Sequence, residues 1–379
     1  MLSAAALSDP FGPINFATDK FPAGSSFVVA FSGGSDSTAL LHLLKSLQDD
    51  HRPDLRIVAA TVDHGLRAAS AAEALSLADR CRRHGIEHHV LNWAGTKPST
   101  GVQNAARHAR HSLLADFAER AGAAAVFVGH TLDDQIETVV MRQRRGDGPG
   151  LAGIAPATLF QRRMWFVRPL LGQRRDLLRA WLRQRGLNWL EDPSNENADF
   201  ERVEIRTALA AAADRPKLEA KAQALAATEA ARRKAVSRAA ATLIEECVSF
   251  EPASGFRLAR RALAEDEAAS VHLLRVTLAA AGGQEMLPDI ERASRLADEL
   301  RQAALGRRFS LWRTVSEVGR EHVFVRREVR AGQRRDSWPS SQTAFPWSQF
   351  LPSFELAAAA AIAAKMGLAA PPPPPFDIG

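Results

Sequence analysis

Ser32-Gly33-Gly34-Ser35-Asp36-Ser37 brings hydroxyls, two glycines and a carboxylate into one short run. An apolar stretch from Phe27 to Phe31 leads into it, and Ala39, Leu40, Leu43, Leu44 and Leu47 follow at helical spacing. The run therefore reads as a tight turn from a strand into a helix. Such a turn aims the free N–H groups of the first helical turn, and the serine hydroxyls, at one anion, while glycine lets the backbone come close. The Gly-Lys-Ser/Thr ending of a Walker loop is missing, so chemistry at a terminal phosphate is not the expectation. The competing reading is a plain serine and glycine turn with no ligand.

A second group follows at His130-Thr131-Leu132-Asp133-Asp134-Gln135-Ile136-Glu137-Thr138. With a helix starting near Leu132, Asp133 and Asp134 stand four and three positions before Glu137, so the carboxylates gather near one helix face. Acids at a helix start also serve as caps and dipole partners, which explains any one of them alone. Together with His130 they form a negative nest suited to Mg²⁺ or to a cationic substrate. A third group, Asp63, His64 and Arg67, ends the apolar run Ile57 to Val62.

The elements that must carry these groups alternate. Strands are expected over Phe27–Phe31, Ile57–Val62, around His88–Leu91 and over Ala124–Val128, with helices between them at about Ala71–His84 and Val102–Ala121. This alternation predicts a doubly wound, mostly parallel α/β sheet, whose ligands sit beyond the carboxyl ends of the strands. All three groups fall at such ends. Downstream, Phe160 to Arg168 reads as an edge strand, Arg174 to Arg185 as a helix, and Ala208 to Ala241 as alanine-rich helices interrupted at Pro216.

We expect a lead-in over residues 1–24, a catalytic α/β domain over 25–209, a helical linker over 210–249 and a small α+β domain over 250–330. The Ser-, Pro- and Ala-rich tail, 331–379, is expected to be disordered or to hold at most one helix around Phe354–Lys365. A net charge of +6, mostly arginine, suits a polyanionic partner, although basic surfaces are common without one. Two cysteines far apart, Cys81 and Cys247, argue against a disulfide framework and make a reducing cytoplasm the simplest setting. No apolar run approaches a membrane span, and Met1 to Phe16 is a poor signal peptide.

Five separated pieces carry a resemblance: SGGSDS at 32–37, VDHGLR at 62–67, the run Gln103, Ala106, Arg107 and Arg110, HTLDDQIET at 130–138, and Trp189, Asp192, Ser194 and Asn195. The first is similar to the pyrophosphatase loop of PP-loop enzymes. Together they resemble the tRNA(Ile)-lysidine synthetase family, over roughly residues 25 to 206 and more loosely over 250 to 330. The resemblance implies a cytoplasmic ATP-dependent ligase, using Mg²⁺, that joins L-lysine to the wobble cytidine of a CAU-anticodon tRNA(Ile). It implies ATP contacts from Ser32, Gly33, Gly34, Ser35, Asp36, Ser37, Asp63, His64 and Arg67, with Mg²⁺ near Asp36. Lysine would meet Asp134 and Glu137, and Asp36, His130, Asp134 and Glu137 would serve catalysis. The proton acceptor for lysine is left open among the carboxylates and His130. Arg107, Arg110, Arg144, Arg145, Arg202 and Arg206 are the candidate tRNA anchors.

His111 and Val203 depart from the family pattern, which often has tyrosine and asparagine at those places. Rival readings are a PP-loop tRNA thiolase, an ATP-dependent amidotransferase synthetase and a catalytically silent RNA-binding protein. The thiolase would need a cysteine pair that the spacing of Cys81 and Cys247 does not offer. The oligomeric state stays open, a homodimer being one option.

Overall fold

The computed structural model describes residues 11–65, 70–95, 97–98, 100–146, 149–191, 201–328 and 350–374. Arg67, Asp192, Ser194 and Asn195, singled out above, lie outside them, as does 331–349 of the expected tail. The chain forms two compact units, residues 1–160, 164–227 and 374–379 in one and 161–163 and 228–373 in the other.

The first unit opens with helix α1 (Phe11–Thr18), strand β1 (Ser26–Ala30), α2 (Ser35–Asp50), β2 (Arg56–Asp63), α3 (Ser70–Arg83) and β3 (Glu87–Asn92). It continues through α4 (Val102–Arg120), β4 (Ala125–Phe127), α5 (Leu132–Arg144), β5 (Ala157–Phe160), β6 (Met164–Val167), α6 (Arg175–Gln184) and α7 (Glu201–Ala211). The long helix α8 (Arg215–Cys247) follows. Pro216 does not interrupt it. The proline stands in the first turn, where its missing N–H has no intrahelical acceptor to lose.

Six strands of this unit pair in the order β5-β6-β4-β1-β2-β3. β1 runs parallel to both β2 and β4, with Val28 opposite Val58 on one side and Val126 on the other. Both neighbours are buried, which is why these strands are unbroken apolar runs with no alternation. The chain moves outward from β1 through β2 to β3, then crosses back to add β4 on the far side of β1. The connections of β1 and β4 thus diverge, and a crevice opens at their carboxyl ends.

The stretch expected as one edge strand is instead an antiparallel hairpin. Ala157 pairs with Val167 and Phe160 with Met164, and β6 lies inside the sheet, parallel to β4. Gln161 and Arg162 turn it with φ of 47° and 58°.

The second unit holds an antiparallel sheet in the order β7-β8-β11-β10-β9, formed by β7 (Val248–Glu251), β8 (Gly255–Ala259), β9 (Arg308–Leu311), β10 (Thr314–Val318) and β11 (His322–Arg327). Helices α9 (Glu267–Gly282) and α10 (Ile290–Gln302) belong to it, capped by Asp266 and Asp289. Phe256, Leu258, Val323 and Val325 are buried, while Arg257 and Phe324 on the alternate positions are partly exposed. Within the expected tail, Phe350–Pro352 is a strand and Leu356–Lys365 a helix with Ala358, Ala359 and Ile362 buried. Among the described residues no helix is long and apolar enough to cross a membrane.

Candidate active site

The loop after β1 is shaped by backbone geometry. Gly33 has φ +82°, and a Cβ there would lie 2.7 Å from Leu77 Cδ2 and 3.0 Å from Leu190 Cδ1. Gly34 is the N-cap of α2 and supplies no side-chain acceptor. Thr38 N–H makes the first intrahelical bond, to Gly34 O at 2.9 Å, so the N–H groups ahead of it have no intrahelical acceptor. Ser32 Oγ and Ser37 Oγ lie 3.1 Å apart beside them. Backbone dipoles and hydroxyls gather here in the arrangement an anion would need.

β4 ends immediately alongside. A Cβ on Gly129 would lie 2.9 Å from the carbonyl carbon and oxygen of Asp36, so only glycine lets β4 meet the start of α2 this closely. The juxtaposition brings α5 and its acids to the loop. Thr131 caps α5, and its N–H and hydroxyl both donate to Asp134 Oδ2 at 2.8 Å. Asp133 turns away to accept the backbone N–H of Arg175, also at 2.8 Å, and so tethers the start of α6.

Arg175 is the hub of the acidic nest. Its Nε donates to Asp36 Oδ2 at 2.8 Å and its Nη2 to Asp134 Oδ1 at 3.2 Å, with Glu137 Oε1 at 3.8 Å. Arg206 donates to both Glu137 oxygens, at 2.8 and 3.3 Å. Three carboxylates thus face two guanidinium groups. Burial raises the Asp36 carboxyl above its usual range, partly opposed by Arg175. Burial also acts to raise Asp134, but Arg175 and the Thr131 donors outweigh it and hold Asp134 low. Glu137 is only 3% exposed, behind Arg175 and Arg206.

A cleft of about 820 Å³ opens over these groups, with Glu137 behind its wall and not among the lining residues. Ser32, Ser35, Asp36, His130 and Asp134 line it together with Arg107, Arg110, Arg145, Arg202 and Arg206. Its charge is divided. Acids sit beside the loop, whereas Arg107 and Arg110 on α4 have no carboxylate partner among the described residues. The other candidate anchors are engaged: Arg144 with Glu204 at 2.9 Å, Arg145 with Glu201, and Arg202 with the Thr138 hydroxyl at 3.2 Å.

Asp63 and His64 do not line this cleft. Asp63 Oδ1 accepts the Gly65 N–H at 2.8 Å, and His64 packs edge-on against Trp93 with ring centres 5.9 Å apart. Of the two departures, His111 donates to Arg107 O at 2.7 Å and packs on Phe166, whereas Val203 lines the cleft. Among the described residues no cluster of three or more His, Cys, Asp or Glu could hold a metal unaided. Mg²⁺ held by one carboxylate and a nucleotide's phosphates remains compatible with Asp36, which also accepts from Ser35 at 3.0 Å.

Sequence reasoning missed Arg175, Arg179 and Arg168. Arg179 Nε donates to Ser35 Oγ at 3.2 Å, and Leu190 N–H to Gly33 O at 2.8 Å, so the segment after α6 braces the loop. A usable signal was present at Arg174-Arg175. Paired cations at a helix start oppose the dipole and imply carboxylates nearby.

Residues 14–213 match the PP-loop domain family. The chain is 45% identical over 310 residues to the tRNA(Ile)-lysidine synthase of Mesorhizobium japonicum, covering 80% of this chain and 67% of that protein. It belongs to the tRNA(Ile)-lysidine synthase family. The family member from Rhizobium meliloti is 38% identical over 315 residues, covering 80% of this chain and 68% of its own. Among solved structures, the U34-tRNA thiolase of Methanococcus maripaludis superposes with a TM-score of 0.49 at 17% identity, over 58% of this chain and 78% of that one. Membership in the family makes the chain an ATP-using PP-loop enzyme of tRNA modification.

Proposed function

We propose that the chain ligates free L-lysine to C2 of the wobble cytidine of CAU-anticodon tRNA(Ile), using ATP and releasing AMP and pyrophosphate. The observation that carries this reading is the shared cleft: the Ser32–Ser37 loop and the carboxylates of Asp36 and Asp134 line one cavity together with Arg175, and Glu137 stands behind Arg175.

Cytidine O2 attacks the α-phosphorus of ATP, and the bond to the β-phosphate oxygen breaks. The loop dipoles and Ser32, Ser35 and Ser37 take up the charge that collects on departing pyrophosphate. Asp36 would hold Mg²⁺ together with the phosphates, and the ion would supply further charge neutralisation. The lysine ammonium docks against Asp134 and Glu137, a position where Arg175 now supplies the positive charge. Its reference pKa is near 10.4, so it must give up a proton before the neutral amine displaces AMP from C2. Arg107 and Arg110, without acid partners among the described residues, are the strongest candidates for RNA phosphate contact. Sulfur transfer is less well supported, because Cys81 and Cys247 both lie outside the cleft and burial pushes the Cys81 thiol up to about 12.

The protein incubated with ATP, radiolabelled lysine and either CAU-anticodon tRNA(Ile) or tRNA(Met) should label only the first, with one AMP per lysine incorporated. Pyrophosphate release that proceeds with ammonia or a sulfur donor, and without lysine incorporation, would sink the assignment.

A further inference from the structure

Behind His130 sits a buried cation with no carboxylate partner among the described residues. Arg168 is 5% exposed, and Nη1 donates to Ala155 O at 2.9 Å, Thr158 Oγ1 at 3.0 Å and Phe166 O at 3.3 Å. Burial and neighbouring Arg107 lower its proton affinity to about 9, which still leaves it charged at neutral pH. Among the described residues no acid pairs with it. A buried cation without an anion is costly, and an apolar side chain of similar volume would pack there at lower cost. Its remaining bond runs toward the cleft: Nε donates to His130 Nδ1 at 3.1 Å.

That bond restricts what His130 can be. A guanidinium has only donors, so Nδ1 must present its lone pair. The Nδ1–H tautomer and the imidazolium would each set two N–H groups head to head. Only the neutral ring with its proton on Nε2 fits. The charged groups around the ring agree with this, since Arg168, Arg107 and Arg110 oppose a positive imidazole and Asp134 alone favours one. Asp134 is itself committed to Thr131 and Arg175. His130 lines the cleft and follows Gly129, which abuts the Asp36 backbone, so the ring stands next to the Ser32–Ser37 loop.

We propose that Arg168 is a positioning residue that holds His130 as the neutral Nε2–H tautomer, so that His130 donates a hydrogen bond to a phosphoryl oxygen of the nucleotide and is not the proton acceptor for lysine. The proposal deepens the reading of the cleft as the reaction site and rests on it. It removes His130 from the candidate bases and leaves the carboxylates.

The test has two arms. In ligand-free protein labelled with ¹⁵N-histidine at pH 7, the His130 signals, assigned by their loss in His130→Gln, should show an unprotonated Nδ1 and a protonated Nε2. Arg168→Met should convert this to a tautomer mixture or to the imidazolium, and Arg168→Lys should restore the original pattern at least in part. In the second arm, lysine-independent adenylation of tRNA is followed. His130→Gln, whose amide nitrogen falls near Nε2, should stay within about ten-fold of the unaltered enzyme, while His130→Asn and His130→Ala fall by about 10² or more. A protonated Nδ1 in the unaltered protein, an unchanged spectrum in Arg168→Met, or Asn outperforming Gln would each overturn the proposal. The unaltered protein's spectrum decides even if Arg168→Met does not fold. Because the spectroscopic arm uses no substrate, it separates failure of this proposal from failure of the lysine-ligation reading.

Discussion

Glu137 shows how one side chain serves structure and chemistry together. It is buried, takes two hydrogen bonds from Arg206 and lies near Arg175, so its charge is balanced before any substrate arrives. Glu137→Gln keeps the shape and removes the charge that would meet an ammonium. We expect KM for lysine to rise at least ten-fold, about 1.4 kcal/mol, with KM for ATP changed far less. Steady-state kinetics with each substrate varied would check this, and equal rises in both would detach Glu137 from lysine recognition. The arginines divide in the same way. Arg144 is tied to Glu204 in an exposed pair of small energetic worth, whereas Arg107 has no acid partner among the described residues. Arg107→Ala should weaken tRNA binding and reduce the slope of log K against log salt by about one, while Arg144→Ala leaves the slope nearly unchanged. Filter binding at several salt concentrations measures both.

At the scale of elements, the site depends on β4 ending against the first turn of α2. Gly129 is the hinge of that contact, because a methyl group would press on the Asp36 carbonyl rather than on a side chain that could swing away. Gly129→Ala should cost about 1–3 kcal/mol of stability and lower the adenylation rate more than ten-fold. Denaturant melts and single-turnover assays test this, and a variant with normal rate would show the loop to be more forgiving than its packing implies. α6 forms the opposite wall. Its start is pinned by Asp133, so Arg175 and Arg179 project toward Asp36 and Ser35 from a fixed helix. α5 in turn packs Leu132, Ile136 and Val139 on Ala222 and Ala226 of α8, which holds the acids in place from behind.

Across the whole molecule, partly buried imidazoles make stability depend on pH. In the first unit, burial holds His42 and His88 at about 4 and His111 and His130 at about 3. Unfolded histidine titrates near 6.5. Between about pH 6.5 and 4 the unfolded chain therefore binds more protons than the folded unit. Stability is complete above that window and falls as pH drops through it, by less than about 1.4 kcal/mol per pH unit for each histidine because solvent screens the partly exposed rings. Urea midpoints at pH 7.5, 6 and 5 should decline steeply, and a flat series would contradict the burial of these rings. The net charge of +6 adds long-range attraction for a polyanion without choosing one.

The local patterns were written in the chain itself. Apolar runs, a glycine turn and the three- and four-residue spacing of Asp133, Asp134 and Glu137 are set within one strand or one helical turn, so the β1 loop and the acidic start of α5 could be read before any fold was known. Which groups those acids would meet could not. Arg175 reaches Asp36 across 139 positions, and Arg168 reaches His130 across 38, because sheet order and helix packing carry them there. The same holds for β6, whose apolar run suits an edge or an interior strand equally until its pairing with β4 is formed. Periodicity is a property of neighbours in sequence, whereas ion-pair partners and strand order belong to neighbours in space, and only the tertiary structure decides those.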